Sequence, residues 1–599
     1  MALPTVLMGM TLPVLVETLK EKVPTVHENV GRLYALNALG SAAAAWFSAT
    51  ALFPFAGLQG ATWLAALLNA LTAVLVWLAS PGWPKYVASP AGMPQSAGGG
   101  RLAWPFAATL ALATGFVSIS QEILLLRMMS WATAGRPWVF GLGVGAFLFG
   151  MGLGSLRVSR VGRNALMAEL GWMWAATAVT VLTLPALAAL VGGMTTSFAG
   201  APLLAATLGI LGFYGGSSLP LVAGLVRPDP NGRSHFGVLY AANIVGAVAG
   251  SGITGYVLLD LFSTAECVGF SAAACLVISL TFSGLAPGRA SFSKTAWPAL
   301  AAILLLPFTG TLYGQWREWM HDGSLRGPKF LTTVETRAGI IAVQADPPAD
   351  TVIGGGAYDG RFNVDPRADY NLISRIYLTM ALHAQPARVL QIGLSSGSWA
   401  KAILSFPSVG ELLSVEINPG YERLVRATPL VAGIFADPRM HQQYTDGRKW
   451  LRTHDGRWDA IIINTSFHWR EGSTMLHSIE FMELAKSRLN PGGILFINTT
   501  GAAAITATAL SLFPEVYRIS NGIAAVNGHL ADTSVPTLAR RLAESKAFSA
   551  SFPTLQAAEG WTQAHLPKLL DPQRYLDCKP LADDDMALEW GKARCEPRA

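Results

Sequence analysis

Asn464 and His468 follow the apolar stretch Asp459–Ile463 and would bring an amide and an imidazole to one small site. His468 has an ordinary pKa near neutrality and is a candidate base. Asn464 can orient a partner but cannot take up a proton at neutral pH, and a positioned base is worth about 10²–10⁴-fold in rate. Glu471, Asp359 and Asp369 are further acids that could serve as the base. The plain alternative is that His468-Trp469-Arg470 is only a packed loop. A second group has different chemistry. Gly393-Leu394-Ser395-Ser396-Gly397-Ser398 is a small-residue turn, and Glu416 lies about 20 residues beyond it, the spacing at which a strand-end acid accepts hydrogen bonds from ribose hydroxyls. Asp446-Gly447 follows. Glu416 read blandly is a solvated strand end, and Asp446 a helix N-cap.

These residues need a scaffold, and the flanking pattern supplies one. Arg388–Ile392 is a short buried strand running into the Gly-rich turn, and a helix starts at Trp399. Such a turn brings backbone N–H groups close to a ligand. Leu412–Val415, Met440–Tyr444 and Asp459–Ile463 are further strands, and Pro491-Gly492-Gly493 opens another after a helix. Alternating strands and helices of this length predict a doubly wound, Rossmann-like α/β sheet.

The chain before about residue 315 is of another kind. Of 599 residues 51% are hydrophobic and 13% charged, against about 25% charged in a typical soluble protein. Apolar runs fall near 1–19, 33–56, 58–79, 104–126, 137–156, 165–191, 197–225, 237–259, 264–286 and 296–313. Each reaches or approaches the roughly 20 residues that cross a bilayer. The predicted fold is an α-helical multi-pass membrane bundle followed by the α/β domain, with the lipid bilayer as partner. The net charge of +6 resides largely in short loops, which fits membrane topology better than nucleic-acid binding. The first run lacks a basic leader, so no cleavable signal is expected.

Two stretches echo each other. Tyr34, Asn37 and Gly40 correspond to Tyr240, Asn243 and Gly246 at a constant shift of 206, as in a repeated transporter-like bundle. The front half of the second copy, about 105–200, has no counterpart in the first. An upstream start, a partner or homodimer supplying helices, and natural asymmetry all account for that. Glu122 lies inside an apolar run and is a site candidate, or else pairs with Arg127. Asn37 and Asn243 are expected to hydrogen-bond between helices. Lys20, Lys22, Arg32, Lys85, Arg101, Arg157, Arg160, Arg163, Arg227, Arg233, Arg289 and Lys294 fall on one side of the bundle, Arg127 and Arg136 on the other. The positive-inside rule puts the first set in the cytoplasm, of a bacterial inner membrane. If 296–313 spans, the C-terminal domain lies outside. Pro298 and Pro307 also permit a re-entrant segment. Cys578 and Cys595 are the only cysteines of the soluble part, a pair in an oxidising compartment or two free thiols otherwise.

Taken together, VLQIGLSSGSWAKAI, LLSVEINPGYERL, DPRMHQQYTDGRKWL and WDAIIINTSFHWREGSTMLHSIEFMELAKSRLNPGGIL resemble class I S-adenosylmethionine-dependent transferases, and most closely the spermidine synthase family in its form fused to a membrane bundle. Residues 354–370 resemble that family's small β-hairpin region and amine-gating segment, and Leu581–Gly591 its acidic closing segment. MGMTLP and GRLYALNALG resemble the fused membrane part. The resemblance implies that Gly393, Ser395 and Gly397 pack against the nucleoside of S-adenosylmethionine or its decarboxylated form. Glu416 holds the ribose, Asp446 and Gly447 the adenine, and Tyr370, Asn371 and Glu471 line the acceptor side. Asn464, His468 and Asp359 stand nearest the chemistry, and no metal is implied. It further implies transfer of an aminopropyl or related alkyl group to an amine such as a polyamine. Three positions depart from the family: Asn464 replaces an aspartate that binds and deprotonates the amine, Leu372 stands where an acid is expected, and Ser395 replaces a glycine. The other reading is a catalytically degenerate transporter or sensor that only binds a nucleoside or polyamine. The expected segments are 1–103 and 104–294 (partial first and full second repeat), 295–315 (last membrane segment), 316–384 (linker and small β region), 385–545 (Rossmann-like domain) and 546–599 (a tail closing on it).

Overall fold

A computed structural model describes residues 2–18, 25–79, 102–194, 200–227, 236–285 and 289–598, apart from Ser324, Arg326, Pro328, Thr465, Ser466 and Arg594. Lys20, Lys22, Lys85, Arg101 and Arg233 of the basic loops, and Thr465 and Ser466 after Asn464, thus lie outside the described residues. The chain forms two compact units, one of residues 1–51, 61–133 and 138–327, the other of 52–60, 134–137 and 328–599.

The first unit is helical. Eight helical segments among the described residues are long and apolar enough to cross a membrane. The apolar run at the N-terminus is the 17-residue helix Ala2–Thr18. The next two runs are separated at Gly57, whose backbone leaves helical geometry at φ +65°. Helices Trp138–Val158 and Gly200–Leu225 approach through glycine. A Cβ on Gly150 would lie 1.9 Å from the Gly209 carbonyl oxygen, and one on Gly154 2.0 Å from that of Phe213, so only a residue without a side chain allows the backbones this close. Helix Val26–Phe47 runs into a π-helical turn at Ser48–Leu52, and helix Phe236–Ile253 into another at Thr254–Leu258, the same shift that relates Tyr34 to Tyr240. Asn243 donates to the Ala111 carbonyl at 3.0 Å, between helices as expected. Asn37 differs: it is exposed. The pairing of Glu122 with Arg127 does not form, and Arg127 donates to Thr264 Oγ1 instead (3.2 Å). Five residues apart on a helix, the two lie about 140° apart around the axis. Glu169 carries two cations, held by Arg157 at 2.6 Å and by Lys294. The last apolar segment stays helical through Pro298 and tightens to a 3₁₀ turn at Leu306–Phe308.

The second unit opens with a four-stranded antiparallel sheet in sequential order: β1 (Phe330–Thr336), β2 (Gly339–Gln344), β3 (Thr351–Gly354) and β4 (Ala357–Arg361). This is larger than the hairpin expected around residues 354–370. The main sheet contains β5 (Arg388–Ile392), β6 (Glu411–Glu416), β7 (Met440–Tyr444), β8 (Trp458–Ile463), β9 (Leu489–Asn498), β10 (Glu515–Ile519), β11 (Gly522–Val526) and β12 (Lys568–Leu569). Their order is 12-10-11-9-8-5-6-7. Strands β5 to β9 pair in parallel, and β11 is inserted antiparallel between β9 and β10. Adjacent residues of β5 face opposite layers: Val389 enters a core with Tyr377, Trp399 and Phe548, and Leu390 one with Trp450, Phe481 and Phe513. Both faces are covered, which is why the strand is apolar at consecutive positions. The tail returns to this domain. Ile479 donates to the Leu581 carbonyl (2.7 Å), Arg448 grips Asp583 with two bonds of 2.6 Å, and Cys578 is joined to Cys595.

Candidate active site

The order of the main sheet reverses between β5 and β8, and in such sheets ligands bind beyond the carboxyl ends of the strands at the reversal. A cavity of about 260 Å³ lies there. It is walled by β4, the segment 370–375, the turn after β5, and the ends of β8, β9 and β11. Five residues expected at the site line it: Asp359, Tyr370, Asn371, Ser395 and Asn464.

The turn after β5 is shaped by sterics. Gly393 has φ +94°, and a Cβ there would come within 2.5 Å of the Asn464 carbonyl oxygen. Gly397 has φ +74° and faces Val425 and Ile434, so its small size serves the packing of the following helix. Ser395 holds φ +51°, a conformation that side chains other than glycine rarely adopt. Its hydroxyl donates to the Asp359 carbonyl. Ser396 and Ser398 both donate to the Arg361 carbonyl, at 3.0 and 2.9 Å. The serines thus fasten the turn to β4, an arrangement glycine cannot make. Leu372 and Thr500 also line the cavity with positive φ, +53° and +46°. Strained backbone at functional sites persists only where surrounding structure holds it.

Glu416, at the end of β6, is buried rather than solvated. One carboxylate oxygen accepts from Leu394 N at 2.7 Å, the other from Asn418 N at 2.8 Å. Burial pushes its pKa up to about 7 against the pull of these N–H groups. Asp359 is likewise raised by burial, to about 6, and takes a hydrogen bond from the Tyr421 hydroxyl. Asp446 caps the helix Gly447–Thr453, accepting from Lys449 N at 2.6 Å. Gly447 packs on Ile392, which a Cβ would strike at 2.4 Å. Neither lines the cavity. His468 stands behind its wall, with Nδ1 at 2.7 Å from Oγ1 of Thr500. Burial lowers its pKa, keeping the imidazole neutral. Glu471 is raised by burial and by the charge of Glu589, and it does not line the cavity. Asn371 is committed to the protein, its amide donating to the Asn363 carbonyl at 2.9 Å.

Arg375 was not singled out by the sequence reading. It lines the cavity, is 6% exposed, and lies over the Trp399 ring. The one signal was a lone cation within the apolar run Ile373–Leu382. Asn498, Thr500 and Asn521, at the ends of β9 and β11, were missed because nothing in their spacing relates them to the turn after β5.

The sheet defines a Rossmann-like α/β fold with a cavity at its strand-order reversal. Within it, residues 376–550 match the spermine/spermidine synthase domain, and the C-terminal unit carries that domain. The chain is similar to polyamine aminopropyltransferase 2 of Streptomyces coelicolor, 27% identical over 448 residues, 70% of this chain and 77% of that protein. A match of that length exceeds the whole stretch from 328 to 599, so it runs into the helical unit. The polyamine aminopropyltransferase of Leptospira biflexa is 30% identical over 134 residues, 22% of this chain, and that of Mycobacterium tuberculosis 30% over 224 residues, 34% of this chain. These two matches span 47% and 42% of those proteins, less than half of their length. Among solved structures, the spermidine synthase from Thermotoga maritima is 19% identical, covering 33% of this chain and 73% of that one with a TM-score of 0.28.

Proposed function

We propose that this protein is a membrane-bound transferase that binds an S-adenosyl-type donor at the carboxyl ends of β5 and β6 and passes an aminopropyl or related alkyl group to an acceptor in the adjoining cavity. One observation carries the reading: Asp359, Tyr370, Ser395 and Asn464 share one cavity at the strand-order reversal, beside a Glu416 fixed by the turn's own N–H. Glu416 would take the ribose hydroxyls on its remaining lone pairs. Ser395 and Ser396 would hold the nucleoside against the end of β8. Asn464 would orient the acceptor, and Asp359 or neutral His468, through Thr500, would accept its proton. The apolar helices of the first unit would hold the protein in a bacterial inner membrane as two related bundles, the matching π-helical turns supporting that relation. The C-terminal domain would lie outside the cytoplasm.

Binding tests this without knowledge of the reaction. The purified full-length protein is titrated with S-adenosylmethionine, its decarboxylated form and methylthioadenosine while its melting temperature is followed, since a ligand of the folded state stabilises by mass action. At least one should raise the transition. No shift with any of them at millimolar concentration overturns the reading.

A further inference from the structure

Among the described residues lining the cavity, Arg375 is the single cationic side chain and Asp359 the single acidic one. Asp359 is engaged by the Tyr421 hydroxyl. Among the described residues Arg375 makes no direct ion pair, and the carboxylate that acts on it, Asp369, does so from beyond that distance and is itself bonded to Ser374. Its Nε donates to the Leu372 carbonyl (2.9 Å), Nη1 to Asn498 Oδ1 (3.1 Å) and Asn521 Oδ1 (2.7 Å), and Nη2 to the Asn371 carbonyl (3.1 Å). All four acceptors are neutral. A guanidinium has one N–H more than these bonds use, and it is on Nη2. A buried charge ordinarily demands a counter-charge. Here the direct contacts are a cradle of neutral acceptors with Trp399 beneath, and the charge stands on the wall of a cavity. The neighbouring chemistry points the same way. Asn464 brings no charge to the cavity, and Leu372 none beside the guanidinium. A polycation entering this space would meet a fixed positive charge.

We propose that the cavity accepts a substrate bearing a carboxylate, which pairs with Nη2 of Arg375. The proposal deepens the transferase reading and rests on it. The carboxylate has two possible sources: the amino-acid end of an intact S-adenosylmethionine, or an acceptor that is itself an amino acid.

Two matched pairs separate these sources, because the members of each differ by one carboxylate: S-adenosylmethionine against its decarboxylated form, and ornithine against putrescine. Affinities are measured by calorimetry on the full-length protein in detergent, the second pair with methylthioadenosine present. The carboxylate member of at least one pair should bind about tenfold tighter or better, the scale of one charge-assisted hydrogen bond. Arg375→Gln should erase that preference and leave methylthioadenosine binding unchanged. Arg375→Lys should retain part of it, and serves if the glutamine variant does not fold. Equal or tighter binding of the decarboxylated member in both pairs overturns the proposal. So does an equal loss for both members in Arg375→Gln, which would make the arginine purely structural. Methylthioadenosine failing to bind the wild type refutes the nucleoside reading instead, and the ornithine–putrescine ratio alone then decides the anion preference.

Discussion

The backbone N–H of Leu394 donates to Oε2 of Glu416 at 2.7 Å, tying the turn after β5 to the end of β6. The acid proposed to hold a ribose is also the clamp that shapes the nucleoside turn. Its removal therefore acts on both folding and binding.

Glu416→Ala leaves the Leu394 and Asn418 N–H groups without their acceptor. It should lower the melting temperature and weaken methylthioadenosine binding by about 1–3 kcal/mol. Glu416→Gln keeps an acceptor oxygen and should restore part of the stability. Differential scanning calorimetry with and without ligand separates the two effects. Unchanged ligand affinity in a folded alanine variant removes Glu416 from the binding site.

Stability should also carry the signature of this acid in its pH dependence. Glu416 is raised from 4.5 to about 7 by burial, so the folded state binds its proton more tightly. The associated stability is complete below 4.5 and is lost as pH rises through about 7. Asp359, raised from 3.8 to about 6, behaves likewise at lower pH. His468 and His477 are lowered by burial and titrate with the opposite sign. The informative quantity is thus the difference between wild type and Glu416→Gln. Relative to the variant, the ligand-free wild type should lose stability between pH 4.5 and 7. A pH-independent difference contradicts the assignment.

Ordinary aminopropyl transfer to putrescine should be slow. Asn464 cannot accept the amine's proton, and Arg375 repels its charge. Asn464→Asp should raise the rate, and Asn464→Asp with Arg375→Gln should raise it further. Product formation by the wild type at typical enzyme rates of ~1–10³ s⁻¹ contradicts this.

The disulfide Cys578–Cys595 and the one-sided basic loops predict an extracytoplasmic domain. Closing a loop of this size typically adds about 3 kcal/mol. Gln556 is exposed and serves as the reporter position. In intact cells a membrane-impermeant thiol reagent should label Gln556→Cys directly, and Cys578 only after reduction. Labelling of Gln556→Cys only in permeabilised cells places the domain in the cytoplasm.

What the sequence determined by itself was local. Strand β5 stands on its short apolar run, and the π-helical turns keep the spacing already readable in Tyr34 and Tyr240. Those features depend on backbone sterics and on hydrophobic patterning over a few residues. The order Gly393, Glu416, Asp446 was legible for the same reason, since each sits at a strand end. What they contact was decided by tertiary structure. Asp446 is the exception, because it caps its own helix within four residues of chain, a contact the sequence already offered. Gly397 served packing, because Val425 and Ile434 fold against it. Strands β1 and β2 were covered only by the expectation of a small β region within 316–384; β1 is partly exposed and polar at several positions, and the buried β2 gains its order from pairing with β3. Arg375 carried almost no signal at all. Its meaning comes from Asn498 and Asn521, more than 100 residues further along the chain, and only the closing of β9 and β11 onto the main sheet brings those two amides around one buried charge.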